Sequence, residues 1–204
     1  LNPGKNLGYS GGFNHVFANL KKNYDIYIQS NSDIIIKDKA FFKRIFNCAL
    51  NDEFDIYAPR IISTLTNNDQ NPYMLKKPSI FWIIKIWLLN NVKLIFLINS
   101  KIKKIKNGIG SKLKKYIFAP HGSFIVYRNS FFKHISMLES RNFLYYEEEI
   151  LGLLCEKHSM RVMFDNENKL FHNEHISTSE INTDKKLKIK RHSFNILLKH
   201  YFNE

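Results

Sequence analysis

Apolar residues fall along this chain in short unbroken runs and in one-sided stripes, and the two patterns alternate. Stripes at a spacing of three to four predict helices, and short β-branched or aromatic runs predict buried strands. Gly11 and Gly12 read as a turn, followed by a helix from Phe13 to Lys22. Asp25 to Ser30 reads as a strand around Ile26, Tyr27 and Ile28, and Ile34 to Ile36 as a second short β stretch. Asp38 is placed to cap a helix through about Leu50, with Phe41, Phe42, Ile45, Phe46 and Ala49 on one face. Asp55 to Pro59 reads as a strand, and Ser63 to Pro78 as a polar loop around Asn67-Asn68-Asp69. Ser79 caps a helix with an apolar face of Ile80, Ile83, Ile84 and Trp87. Tyr116 to Ala119 and Phe124 to Tyr127 read as strands around Pro120-His121-Gly122. Helices follow at Asn129 to Ile135 and Tyr145 to Lys157, then a strand at Arg161 to Phe164, then a basic amphipathic helix from Lys185 to Phe202. Alternation of this kind predicts an α/β class with a mostly parallel sheet covered on both faces. The apolar window from Ile80 to Ile98 is broken by Lys85, Asn90, Asn91 and Lys93, so it is not read as a membrane span.

Composition narrows this only a little. A chain of 204 residues, 44% hydrophobic and 14% aromatic, is long and apolar enough for one domain with a real core, which excludes a disordered chain. The formal charge of +13 attracts anions: nucleic acid, acidic lipid head groups or phosphorylated substrates. It does not choose among them, and the richness in Lys, Asn and Ile points to a nucleotide-composition bias behind part of it. Cys48 and Cys155 form no CxxC pair, which argues against a zinc ribbon or redox motif and for buried thiols in a reducing compartment. No secretory leader pattern precedes the first glycines, and a start at Leu1 suggests a fragment of a longer protein.

Three segments carry candidate chemistry. Asn6-Leu7-Gly8-Tyr9-Ser10-Gly11-Gly12-Phe13-Asn14 joins glycines to a helix start, which suits a phosphate as well as an ordinary loop-to-helix turn. It matches neither the Rossmann nor the P-loop glycine pattern. Asn31-Ser32-Asp33 ends the first strand, where ligand crevices of α/β sheets lie. Asp33 there suits Mg²⁺ or Mn²⁺, and equally an Asx turn; the residues alone leave both open. Glu147-Glu148-Glu149 heads a helix, where carboxylates complement the dipole, or where one acts as a general base among Phe143, Tyr145 and Tyr146. His172 and His175 follow a strand, as metal ligands or as surface polarity.

In this order and spacing the segments resemble the inverting family 2 glycosyltransferases of GT-A fold, in particular the bacterial rhamnosyltransferase-like branch. Asn6 to Asn14 looks like that family's glycine segment, and Tyr27 to Asp33 like its version of the DxD metal motif. Ala119 through Arg128 looks like its acceptor-side strand, Phe143 to Leu151 like its Glu-Glu helix start, and Phe171 through Ser177 like its terminal histidine motif. The resemblance runs from Asn6 to about Ser179. It implies a Rossmann-like GT-A core over residues 1–180, with a basic amphipathic insertion at 79–115, followed by a basic helix at 181–204.

The same resemblance implies an enzyme that moves a sugar from a nucleotide-diphosphate donor to a glycan or lipid-linked acceptor with inversion, in bacterial surface polysaccharide synthesis. Glu148 would be the base, with Glu147, His121, Gly122 and Ser123 on the acceptor side. Asn6, Gly8, Gly11, Gly12, Asn14, Asn31, Ser32 and Asp33 would meet the donor. Asp33 and His172 would hold Mg²⁺ or Mn²⁺. Two departures stand out. The family's opening strand-helix-strand, with its base-contacting Asp, has no counterpart here, so the fold is expected to be N-terminally truncated. Asn31 also replaces the first carboxylate of the metal motif. A degenerate transferase serving as a binding or assembly subunit is the alternative. A nucleic-acid-binding domain is a further one, but the chain has no helix-turn-helix, zinc finger or RNP-type motif, so nucleic acid is not expected as a partner. The helix from Ser79 and the Lys-rich stretch Lys101 to Lys115 suggest peripheral contact with an anionic membrane, on the inner face of the bacterial cytoplasmic membrane, or else a solvated basic face.

Overall fold

The computed structural model describes residues 2–92, 116–174 and 182–202. Its elements are α1 (Gly8–Ala18), β1 (Ile26–Ser30), β2 (Ile34–Ile35), α2 (Phe41–Leu50), β3 (Ile56–Ser63), α3 (Ile80–Asn91), β4 (Phe124–Arg128), α4 (Asn129–His134), α5 (Glu147–Lys157), β5 (Val162–His172) and α6 (Thr183–Tyr201). The fold is α/β, a five-stranded sheet in the order β1-β4-β3-β5-β2 flanked by helices.

The sheet is mixed, which corrects the expectation of a mostly parallel one. β3 and β5 run parallel, whereas β1–β4, β3–β4 and β2–β5 are antiparallel. Side-chain alternation explains the misreading. Ile56, Ala58, Ile125, Tyr127, Val162 and Phe164 face one core with Phe131, Leu151 and Cys155. Tyr57, Ile61, Phe124, Val126 and Met163 face the other core with Phe41 and Ile45 of α2. Burial on both faces produces the unbroken apolar runs typical of parallel sheets, whatever direction the strand takes.

Two strands outrun their predicted ends. β3 continues past Pro59 to Ser63, and β5 past Phe164 to His172. Their pairing skips between Pro59, opposite Asp165, and Arg60, opposite Lys169. Pro59 has no N–H for the ladder, and in the bulge Asn166 and Glu167 face outward while Asn168 turns inward and is buried. The bulge is pinned by Tyr57 Oη, which donates to Asp165 (2.6 Å) and accepts from Asn168 Nδ2 (2.7 Å). Tyr116 and Ala119, expected in a strand, make isolated bridges.

Helix predictions fail where apolar residues surround the axis. In α3, Ser79 Oγ accepts from Trp82 N (3.3 Å), as a cap should. Yet of the four residues expected to be inward only Ile83 is buried; Ile80, Ile84 and Trp87 are exposed. Ile83 packs with Phe194, Ile196 and Leu197 of α6 and with Ile150 and Leu153 of α5. In α2, Phe41 and Ile45 are buried while Phe42 and Phe46 face outward. The glycine turn is displaced too. Gly11 and Gly12 lie inside α1, and the left-handed residue is Gly8, at φ +76°. A Cβ there would stand 2.2 Å from Phe143 O, so the close approach demands glycine. Lys101 to Lys115, His175 and Ser177 lie outside the described residues. No helix among the described residues is long and apolar enough to cross a membrane.

Candidate functional site

The site is built at the start of α5. Tyr145 (φ 77°) and Tyr146 (φ 67°), the two residues before Glu147, are both left-handed. Bulky residues hold this conformation at a cost of about 1–3 kcal/mol each, so the surroundings must enforce it. Asn142 Nδ2 donates to Tyr145 O (3.2 Å), Ser193 Oγ to Leu144 O (2.7 Å), and Tyr146 Oη exchanges hydrogen bonds with the Asn90 amide (2.8 and 3.1 Å). The bend turns the first α5 carboxylates toward the 121–123 turn.

Three adjacent carboxylates then settle into different environments. Gly122 N donates to Glu148 Oε1 at 3.1 Å. Tyr73 Oη donates to Glu149 Oε1 at 2.8 Å, beneath the surface. Burial, and then the charge of Glu148, raise the Glu149 carboxyl above the ordinary carboxylate range. Burial, again followed by Glu148, pushes Glu147 up to about 8. Tyr9 and Tyr73 are raised by burial and by these carboxylates, so both phenols remain proton donors.

The 121–123 turn is held from four directions. Tyr9 Oη donates to Gly122 O. Asn71, fully buried, accepts from His121 N (2.8 Å) and donates to Pro59 O (2.9 Å). Ser123 N donates to His121 Nδ1 (3.2 Å), which makes Nδ1 an acceptor and leaves the proton of a neutral ring on Nε2. Asn31 N, at the end of β1, donates to Ser123 O (2.9 Å). A cavity of about 340 Å³ opens over this turn, and its lining includes Tyr9, Asn31, Tyr73, Glu147, Glu148 and Lys190.

Beside the cavity stand Asp33 and His172. The His121 and His172 ring centroids are 5.9 Å apart, and His172 Nε2 lies 3.2 Å from Asp33 Oδ1. Gln70 fixes the chemistry of this pair. Its Nε2 donates to the Glu174 carboxylate, so its Oε1 is the atom 2.8 Å from His172 Nδ1. An amide oxygen only accepts, so Nδ1 carries the hydrogen. Nε2 of a neutral His172 then aims a lone pair at Asp33 Oδ1, a buried oxygen with no hydrogen-bond partner. Two acceptors in this position call for a proton or a cation between them. Mg²⁺ or Mn²⁺ fits: cis ligands of an octahedral ion, each at about 2.1 Å, stand about 3 Å apart. Among the described residues no group of three or more His, Cys, Asp or Glu is arranged around a metal position. A cation here would therefore complete its shell from water or substrate oxygens.

Glu147, Glu148, His121, Gly122, Ser123 and Asn31 thus share one cavity, with Asp33 and His172 beside it. The remaining donor-side residues stand elsewhere. Ser32 is exposed on the loop after β1. Asn6 Oδ1 accepts from Gly8 N (2.9 Å), and Tyr9 N donates to Phe143 O (3.4 Å), so the first two N–H groups of α1 are spent internally. Asn14 is buried and clamps Leu138 through both its O (2.8 Å) and its N (3.0 Å). Gly11 lies against Leu7, where a Cβ would sit 3.2 Å from its Cβ. Gly12 lines a separate groove of about 520 Å³ between α1 and β1. Tyr9, Gln70, Asn71 and Tyr73 were not among the residues singled out from the sequence. Tyr9 lay inside the glycine segment and Asn71-Pro72 is a turn signal, but nothing local marks Gln70. No protein-family model matches the chain, and no curated protein matches it.

Proposed function

We propose that the chain transfers a sugar from a nucleotide-diphosphate donor to a hydroxyl of a glycan or lipid-linked acceptor, with inversion, as the GT-A family 2 enzymes it resembles do. Bacterial surface-polysaccharide assembly is the setting that resemblance suggests. One observation carries the reading. The 121–123 turn is bonded on one side to the Glu148 carboxylate and on the other to Asn31, two residues before Asp33. A base lining the cavity and a metal-binding carboxylate beside it, joined through one turn, suit a single displacement.

Glu148 takes the proton of the acceptor hydroxyl as that oxygen attacks the anomeric carbon. The bond from that carbon to the diphosphate oxygen breaks on the opposite face, and its electron pair leaves with the diphosphate, so the configuration inverts. Asp33 and His172 would hold the divalent cation, which when bound offsets the charge of the leaving diphosphate. Lys190, over the Tyr145 ring at 4.8 Å, adds positive charge to the cavity wall. Glu147, protonated over much of the neutral range, presents a hydrogen-bond donor to the acceptor sugar beside Ser123 and His121.

The test has two parts. Nucleoside diphosphates with Mn²⁺ should raise the unfolding temperature, because ligand binding stabilises the native state. Glu148→Gln should lower transfer by about 10²–10⁴-fold while keeping that thermal shift. A variant that transfers at the wild-type rate, or a protein that no nucleoside diphosphate stabilises, overturns the reading.

A further inference from the structure

We infer that the outward face of α3 docks on an anionic lipid bilayer. The helix carries Ile83 and Asn90 inward and a stripe of Ile80, Phe81, Ile84, Trp87 and Leu88 outward. Phe81 is 78% exposed and Trp87 50%. These residues recur every three to four positions, so they form one continuous band on a single side of the helix. At 12 residues and 1.5 Å per residue, α3 is about 18 Å long, too short to cross a bilayer but suited to lie in its surface.

The band is fixed in place. Arg191 of α6 donates to the backbone carbonyl of Asn90 (2.7 Å), Tyr201 Oη to Pro78 O (3.0 Å), and the Asn90 side chain is bonded to Tyr146. With Ile83 already packed on α5 and α6, α3 has no way to turn its second apolar side inward.

Charge selects the occupant. From Asn71 to Leu138 the sequence contains no Asp or Glu. Exposed Lys76 precedes the helix and Lys85 lies on it, Lys77 being paired with Glu156 (2.6 Å), and exposed Lys185, Lys188 and Arg191 lie on α6, the helix against which α3 packs. Two copies would bring like charges together, whereas anionic head groups attract them, by about 1 kcal/mol per basic residue near the surface. Trp and Phe beside lysines suit the boundary between head groups and acyl chains. The Asn90–Tyr146 hydrogen bond on the inner side of α3 ties the helix to the bend that orients Glu147 and Glu148. The face would therefore present the cavity to a lipid-carried acceptor; that last statement alone rests on the glycosyl-transfer reading.

The experiment uses the whole chain, no sugar donor, and vesicles of phosphatidylcholine with or without a third of phosphatidylglycerol. Both tryptophans, Trp82 and Trp87, lie on α3 and report on it. Co-sedimentation should be at least about tenfold stronger with the anionic vesicles. Tryptophan emission should shift to the blue and be quenched by lipids brominated on their acyl chains. Phe81→Ser with Trp87→Ser should weaken partitioning about tenfold or more while leaving the unfolding temperature in place. Lys76→Glu with Lys85→Glu should weaken it too. Equal pelleting with both vesicles, unquenched emission, or unchanged partitioning of the Phe81→Ser, Trp87→Ser variant would overturn the inference. So would a dimer in solution that the same pair of changes dissolves, which would make the band an interface between copies. Because no donor is present, loss of vesicle binding and loss of sugar transfer are separate results.

Discussion

A methyl group added to residue 122 would stand 2.9 Å from Glu148 Oε1 and 3.4 Å from Tyr9 Oη. The atoms it meets are ends of side chains, so the fold can yield and the carboxylate cannot stay. Gly122→Ala should therefore keep its unfolding temperature within a few degrees and lower transfer about 10²-fold, the scale of an ångström-sized misplacement. Melting curves and initial rates of the same preparation check this; a collapse of the fold would show that turn and carboxylate move only together. At this scale the sequence was legible wherever chemistry and setting clash. Asp33 ends an apolar strand and Glu148 sits among aromatic residues, and each invites an explanation by itself. Tyr9 and Gln70 do not. Their roles come from partners 113 and 102 positions away, distances over which no local pattern reaches.

Elements were legible where one face is apolar and obscure where two are. β1 and α6 fall close to their predicted places, because a β-rich run and an amphipathic stripe mark them. α3 is apolar around most of its axis, so periodicity could not say which side packs. The α1 glycines were obscure for another reason: glycine signals a turn in general, yet here the left-handed position is Gly8 alone. Nothing lies within 4 Å of a Cβ built on Gly12, which sits in the interior of α1. Gly12→Ala should therefore stabilise the protein by about 1 kcal/mol, the difference between the two residues in a helix. It should also leave the thermal shift from nucleoside diphosphates unchanged, since Gly12 faces the α1–β1 groove and not the Glu148 cavity. Urea unfolding and ligand-dependent melting test the two halves; a weakened nucleotide shift would return Gly12 to the donor site.

For the molecule as a whole, strand direction was the least legible property, since both faces of the sheet are covered and pattern carries no sense of polarity. Charge balance is easier to follow, and it predicts how stability varies with pH. Glu139 is raised by burial, but hydrogen bonds from Arg141 and His200 outweigh this and hold it at about 2, against an ordinary 4.5. A depressed carboxyl contributes stability that is present above pH 4.5 and lost as pH falls toward 2. Glu147, raised to about 8 by burial and by Glu148, works in the opposite sense. Its contribution is complete below pH 4.5 and disappears as pH rises through 8, because the folded state must then hold a desolvated charge. The two groups together predict a stability maximum at mildly acidic pH with losses on both sides. Glu149, also raised by burial and by Glu148, acts in the same sense, so Glu147→Gln removes part of the alkaline limb and leaves the rest. The variant should match wild type near pH 4.5 and exceed it by roughly 1–3 kcal/mol at pH 9, since each tenfold difference in proton affinity between the folded and unfolded chain is worth about 1.4 kcal/mol and partial access to water reduces the total. Urea midpoints across that range measure the gap. A difference that stays constant with pH would mean that Glu147 is not the buried acid responsible, and that its oxygens reach water beside Glu148.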